Sequence, residues 1–358
     1  MIPYYSLFQY LQKHPRANFS QIANSLDITD KTAKAHYKYL VDKKYIEGIR
    51  AKIKPESLGL ETVSFLVKVT SLNKVSLVER LADFHFFTSY RNRILGTAQG
   101  LFLQFNIPEN AIRYLEVLFL EMKEHQIIEK FEMIQSSEFK VSTSPEFESY
   151  DNKKSEWIWD IEPWEEAYTE ASDEIRESIT PDINVLQRIQ DLDLKLIREM
   201  TKNAKQVHND LAEKFQVTPV RISRRMAFLN EFVTDYVLLY RRSKVQPVDL
   251  VLFRGKCSEI NRNKLFNILK TAPIPFNTGF NLLTDGFLWR MNIPPTYTSQ
   301  FSNFLWSISE ELDFYRLDHY KSQLYYFYGD AFDTKKKEWK ASKNEVLDQP
   351  LEWLKKQL

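Results

Sequence analysis

The chain has 358 residues, with 49 Lys/Arg, 48 Asp/Glu and a net charge of +1. That length predicts two or three domains. A lone cysteine excludes a disulfide framework and any multi-cysteine zinc or iron–sulfur site, and fits a reducing, cytoplasmic compartment. Only 8 glycines, against 25 Phe, 18 Tyr and 7 Trp, argue against glycine-rich phosphate loops. No apolar run reaches the ~18 residues of a membrane helix, and the N-terminus lacks the pattern of a signal peptide.

The charge is unevenly spread. Residues 12–54 hold ten basic and four acidic side chains, and residues 195–244 hold eleven and five. Between them, residues 141–182 hold three basic and thirteen acidic ones. Two basic modules flank an acidic segment.

In chain order, residues 1–58 begin with a helical face of Tyr4, Leu7, Phe8 and Leu11. A short second helix carries Ile22, Ala23 and Leu26, and Thr29 is placed to N-cap a third. A β-like run at 45–53 follows, so the segment predicts a winged helix-turn-helix. Residues 59–145 open on an alternating strand (Val63, Phe65, Val67 and Val69 against Ser64, Leu66 and Lys68). A helix with Val75, Val78 and Leu81 comes next, then strands near 86–95 and 100–107, a helix at 109–125 and a strand at 127–135. The order β-α-β-β-α-β is the ferredoxin-like split unit. Residues 146–184 read as an acidic linker bearing Trp157, Trp159 and Trp164. It is either a strap that docks on a basic head or a solvated connector whose tryptophans pack on its own domains.

The second half repeats the first. Residues 185–246 carry Leu196, Ile197 and Met200 on one helical face, Thr218 as an N-cap, Pro219 at the first helical position, and a β-like run at 232–240. Residues 247–330 predict strand 249–256, helix 260–271, strands 275–283 and 286–293, helix 296–312 and strand 313–320. Asn106-Ile107-Pro108 recurs as Asn292-Ile293-Pro294 at a spacing of 186, and the basic segments align at 189. Residues 331–358 suit a terminal amphipathic helix with Val346, Leu347, Leu351, Trp353 and Leu354. The expected fold is α+β: two tandem units, each a winged helix-turn-helix followed by a ferredoxin-like domain.

Leu192-Asp193, Leu196-Ile197, Met200, Ala204, Leu211-Ala212, Val217-Thr218-Pro219, Ile222, Arg225 and Leu229 resemble the helix-turn-helix of the Lrp/AsnC ("feast/famine") transcription regulators. Ile46 and the run from Ala51 to Leu60 resemble that family's wing and hinge strand, and the split β-α-β-β-α-β half resembles its effector domain. The chain departs in carrying two units, and in its effector turns, Gly96-Thr97-Ala98-Gln99-Gly100 and Thr284-Asp285-Gly286. The resemblance implies a sequence-specific regulator of double-stranded DNA, with no cofactor and no catalytic activity. Its two heads would act as an internal pseudodimer, with room left for a small-molecule effector and a homodimer.

The outward faces of the third helices would then read DNA. Lys31, Thr32, Lys34, Ala35 and Lys38 serve in one head; Val220, Arg221, Ser223, Arg224 and Arg225 serve in the other. Lysines neutralise phosphates, arginines can also grip guanine, and the wing cations Arg50, Lys52, Arg241 and Arg242 reach the backbone. Thr97, Gln99, Thr284 and Asp285 are the expected effector contacts. Enzyme signals are sparse. His14, His36, His85, His125, His208 and His319 form no metal-ligand pair, and Cys257 reads as core. One catalytic alternative remains. Siroheme decarboxylases are relatives of this architecture that hold a tetrapyrrole between paired units, using strand histidines and arginines; Arg91, Arg93 and His85 are the matching residue types here. A protein-interaction adaptor with degenerate winged helices is the other alternative.

Overall fold

The computed structural model describes residues 1–96, 99–175, 185–245 and 248–358. Three helices, α1 (Tyr5–Lys13), α2 (Phe19–Leu26) and α3 (Asp30–Asp42), lead into strand β1 (Ile46–Ile53). Next come β2 (Glu61–Val69), α4 (Val75–Phe84), β3 (Thr88–Leu95), β4 (Gly100–Ile107), α5 (Ile112–Glu124), β5 (Ile128–Gln135) and β6 (Lys140–Thr143). A hairpin, β7 (Tyr150–Asp151) and β8 (Glu156–Trp157), and helix α6 (Glu162–Glu170) close the first half. The second half runs α7 (Asp191–Lys202), α8 (His208–Phe215), α9 (Pro219–Leu229), β9 (Val233–Tyr240), β10 (Asp249–Lys256), α10 (Glu259–Thr271), β11 (Thr278–Leu283) and β12 (Gly286–Ile293). It ends with α11 (Pro295–Ile308), β13 (Glu311–Leu317), β14 (Gln323–Leu324), hairpin β15 (Phe332–Asp333) and β16 (Glu338–Trp339), and α12 (Gln349–Lys355). The architecture is mixed α/β, in two compact units assembled from discontinuous segments.

The first unit holds both helical triplets, residues 1–54 and 190–248, with residues 144–160. Each triplet turns between its second and third helix on a non-glycine residue of positive φ, Asp27 at 52° and Gln216 at 54°. Thr29 and Thr218 cap the third helices, accepting from Thr32 N at 3.1 Å and Arg221 N at 3.3 Å. The expected wings differ from those observed. Each triplet is followed by one strand, and β1 and β9 pair with each other, antiparallel, Ile49 facing Leu238 and Lys52 facing Asp235. A strand bearing buried Ile49 and Ala51 needs a partner for its backbone groups, and here the other triplet supplies it. Hairpin β7–β8 adds aromatic weight: Phe147 lies 4.9 Å from Phe8 and 5.4 Å from Tyr240, and the Tyr5 hydroxyl donates to Tyr150 O at 3.0 Å.

The second unit is built on a ten-stranded sheet ordered β5-β2-β4-β3-β13-β10-β12-β11-β6, with β14 on the side of β3. The sheet is open, but it curls so that its two halves face each other across a shared core. Leu66, Phe102 and Ile134 from one end pack with Leu250, Leu252 and Leu288 from the other, and Arg254 of β10 donates to Glu132 of β5 at 2.9 Å. This curl buries Ser64 and Leu66, the positions that strand alternation alone would leave polar-side. Gly100 and Gly286 open matching strands because a Cβ there would strike the carbonyls of Val67 (1.7 Å) and Gly255 (2.1 Å). Helix α11 stops at Ile308, short of 312, because the Glu310 amide turns to Lys256 O at 2.8 Å and starts β13.

Trp157 and Trp164 of the linker, and the tail, belong to these cores. Trp164 donates to Ala272 O at 2.9 Å and packs on Phe304 at 5.2 Å. In the tail, Val346, Leu347 and Leu354 are buried, and Trp353 stacks on Phe84 at 5.5 Å.

Candidate functional site

On α3, Lys31, Lys34, Ala35 and Lys38 are exposed, while Ala33 and Leu40 are buried; Thr32 spends its hydroxyl on Thr29 Oγ1 at 2.9 Å. On α9, Val220, Arg221, Ser223 and Arg224 are exposed. Arg225 belongs elsewhere. Its Nε donates to Asp193 Oδ1 at 2.6 Å, its Nη2 to the other carboxylate oxygen, and its guanidinium lies 4.5 Å from the Phe228 ring. Asp193 is 0% exposed. This is a buried pair tying α7 to α9, so Arg225 is corrected from a reading residue to a packing residue. Arg50 and Lys52 sit inside β1, opposite Val237 and Asp235, rather than at a wing tip. Arg241 is exposed just past β9, its amide donating to Tyr45 O at 3.1 Å, and Arg242 is half-exposed.

The expected effector residues do not gather into a cradle. Thr97 lies outside the described residues. Gln99 is exposed, and its carbonyl accepts from Val69 N at 3.1 Å. Thr284 and Asp285 form the β11–β12 turn; the Thr284 carbonyl accepts from Arg262, and the Asp285 carboxylate accepts from Arg254 Nη2 at 2.6 Å.

A dense polar grouping in the second unit lies where β3 meets α4. Arg93 grips Glu79 with two of its nitrogens, Nε at 2.8 Å and Nη2 at 2.7 Å. Arg91 donates to Glu79 at 3.1 Å, to Asp83 at 2.8 Å and to the Tyr325 hydroxyl at 2.8 Å. Burial alone would lower the Arg91 pKa, but Asp83 and Tyr325 hold it above its ordinary value. Burial and the Asp83 hydrogen bond push the Tyr325 hydroxyl up, so it stays protonated. Glu79 is 7% exposed and lies between the guanidinium groups of Arg91 and Arg93. The same sheet positions in the second half are apolar: Arg91 faces Leu103 as Phe280 faces Trp289, and Arg93 faces Leu101 as Leu282 faces Phe287.

His85 is buried, and its Nδ1 accepts from Phe87 N at 3.3 Å. Burial lowers its pKa to about 4, leaving a neutral ring at the end of α4. Burial raises the Cys257 thiol to about 11, consistent with core rather than nucleophile.

A repeated signal passes through the segments read as linker and tail. Tyr150-Asp151-Asn152-Lys153-Lys154-Ser155-Glu156-Trp157 matches Phe332-Asp333-Thr334-Lys335-Lys336-Lys337-Glu338-Trp339. Both form hairpins in which the aspartate accepts two turn amides, at 2.8 and 3.1 Å for Asp151 and 2.9 and 3.0 Å for Asp333.

No family model and no curated protein matches this sequence. Among solved structures, the chain is similar over its whole length to the siroheme decarboxylase NirDL, with a TM-score of 0.57 and 11% identity, 98% of each chain being covered. The same protein in co-complex with an iron-uroporphyrin III analogue gives 0.57 and 10%, over 90% of this chain and 94% of that one. E. coli AsnC covers 36% of this chain at a TM-score of 0.31 and 14% identity, too loose a superposition to argue from. The full-length likeness establishes a shared fold, and the protein that shares it is an enzyme. The expectation of a DNA-binding regulator without catalytic activity is therefore withdrawn: helical heads and paired sheets of this kind also make up an enzyme.

Proposed function

We propose that this chain is an enzyme of the siroheme-decarboxylase architecture, acting on an iron tetrapyrrole that carries carboxylate side chains. The reading is carried by the correspondence with NirDL over 98% of both chains. We further infer that the chain is an internal duplication, each unit a helix-turn-helix followed by a ferredoxin-like half, held as a pseudodimer. The matching registers of β3–β4 and β11–β12 and the mutual pairing of β1 and β9 support that inference.

A tetrapyrrole of this class brings its own iron, so the chain has to supply cations for carboxylates. Arg91 and Arg93 suit the task, since a planar guanidinium matches a carboxylate with two parallel bonds. They are already paired with Glu79 and Asp83, and a substrate carboxylate would have to take the place of one. His85 does not suit an iron ligand, because it is only 5% exposed and its ring lies edge-on against Phe105 at 5.3 Å.

The test is a visible-light titration of the full chain with iron-uroporphyrin III, followed by incubation with siroheme and mass analysis. Saturable spectral change and loss of carbon dioxide from siroheme are expected. Unchanged spectra throughout the titration would overturn the reading.

A further inference from the structure

The two halves treat one interior position differently. Tyr90 on β3 faces Gln104 on β4, and Gly279 on β11 faces Arg290 on β12, at the same register from the Asn-Ile-Pro triplets. Two residues on, Asn92 and Asn281 occupy matching places on the inner face. In the first half Asn92 Nδ2 donates to the Tyr90 hydroxyl at 3.0 Å. In the second half the position matching Tyr90 is Gly279, which brings no phenol. Asn281 Oδ1 is committed to Ser137 N at 3.1 Å, and the buried Asn281 Nδ2 has no hydrogen-bond partner.

Open space lies at Gly279, two residues before the orphaned donor. A Cβ built on Gly279 meets nothing within 4 Å, and its φ lies outside the left-handed range. Arg290, the cross-strand neighbour, is partly buried; its guanidinium lies 4.8 Å from the Tyr90 ring, and no carboxylate or hydrogen-bond acceptor among the described residues pairs with it. A buried donor without a partner is unfavourable, and a cation at a site with room beside it attracts an anion.

We propose that the space above Gly279 is a binding site for a small hydroxyaryl carboxylate, whose ring takes the place that Tyr90 fills in the other half. The ligand oxygen accepts from Asn281 Nδ2, as the Tyr90 hydroxyl accepts from Asn92. Its carboxylate lies at the Gly279 end, against Arg290. A tetrapyrrole is far larger than one tyrosine side chain, so this site is separate from the proposed catalytic function and does not rest on it.

Calorimetric titration of the full chain with 4-hydroxybenzoate tests the assignment, with benzoate and phenol as partial probes. Saturable binding of 4-hydroxybenzoate is expected, weakened about tenfold or more when either the hydroxyl or the carboxylate is missing. Gly279→Tyr should fold, because its partner position already holds tyrosine, and should abolish binding. Arg290→Gln should weaken 4-hydroxybenzoate while leaving phenol unchanged. Absence of 4-hydroxybenzoate binding at millimolar concentration overturns the proposal, as does undiminished binding by Gly279→Tyr. A Gly279→Tyr chain that fails to fold refutes the open space. In that case Arg290→Gln still decides the carboxylate contact, and equal losses for phenol and 4-hydroxybenzoate would reject it.

Discussion

Arg225→Met distinguishes a packing arginine from an exposed one. Asp193 is 0% exposed, and its carboxylate is held by Arg225 on both oxygens and by Gln190 N at 2.7 Å. Removing the guanidinium strands a buried anion on one backbone donor, a loss of about 3–5 kcal/mol. The contact with Phe228 at 4.5 Å adds roughly 0.5–1 kcal/mol. Replacing both partners, Asp193→Leu with Arg225→Met, removes the charge along with its counter-ion. What remains is the lost bond to the Gln190 amide at the start of α7, about 1 kcal/mol. The two single substitutions should therefore be strongly non-additive. Urea unfolding followed by circular dichroism reads this on the transition of the unit that contains α7 and α9, with exposed Arg221→Met as a reference within about 0.5 kcal/mol. An Arg225→Met chain as stable as that reference, or single losses that simply add in the double variant, would refute the buried-pair argument.

Three other outcomes follow from particular contacts. His85 titrates at about 4 when folded against 6.5 for the free side chain, so the unfolded chain binds the extra proton first. Stability should fall as pH drops from 6.5 towards 4, by as much as about 3 kcal/mol, and His85→Gln should flatten that part of the pH–stability curve. Trp339→Phe removes the Nε1 bond to Leu58 O at 2.8 Å and should cost about 1–3 kcal/mol in thermal or urea unfolding. Arg91→Phe with Arg93→Leu should cost about 3–5 kcal/mol by abandoning Glu79; adding Glu79→Leu should restore stability to within about 2 kcal/mol without restoring iron-uroporphyrin III binding.

The helical heads are legible in the sequence because a 3.6-residue period, a threonine cap and a proline at the first turn are all local signals. Arg225 is misplaced by the same period: the helical wheel puts it on a flank, and only the fold brings in Asp193 from 32 residues away. The run at 45–53 reads as strand, but no local feature shows that its partner is the run near 233–240, a tertiary choice. The hairpin repeat is written in the sequence, but its spacing of 182, against 186 and 189 elsewhere, puts it out of register with the other repeats. Burial of Ser64 is invisible from alternation, since it depends on the sheet folding back over its own inner face.

The asymmetry between halves is the strongest argument against reading the chain as two equal copies. Arg91 and Arg93 stand where the second half has Phe280 and Leu282; Arg254 and Arg290 stand where the first half has Leu66 and Gln104. Each of these arginines lacks an arginine at its counterpart. In a symmetric homodimer every substitution appears twice, so a cation suited to one half must be tolerated in the other. Two halves carried on one chain are free of that constraint. A duplicated DNA reader facing two similar half-sites would gain from keeping its halves alike. A single unsymmetrical substrate instead favours one charged strand and one packed apolar counterpart. That is the distribution found along β3 and β11, and it agrees with the catalytic reading.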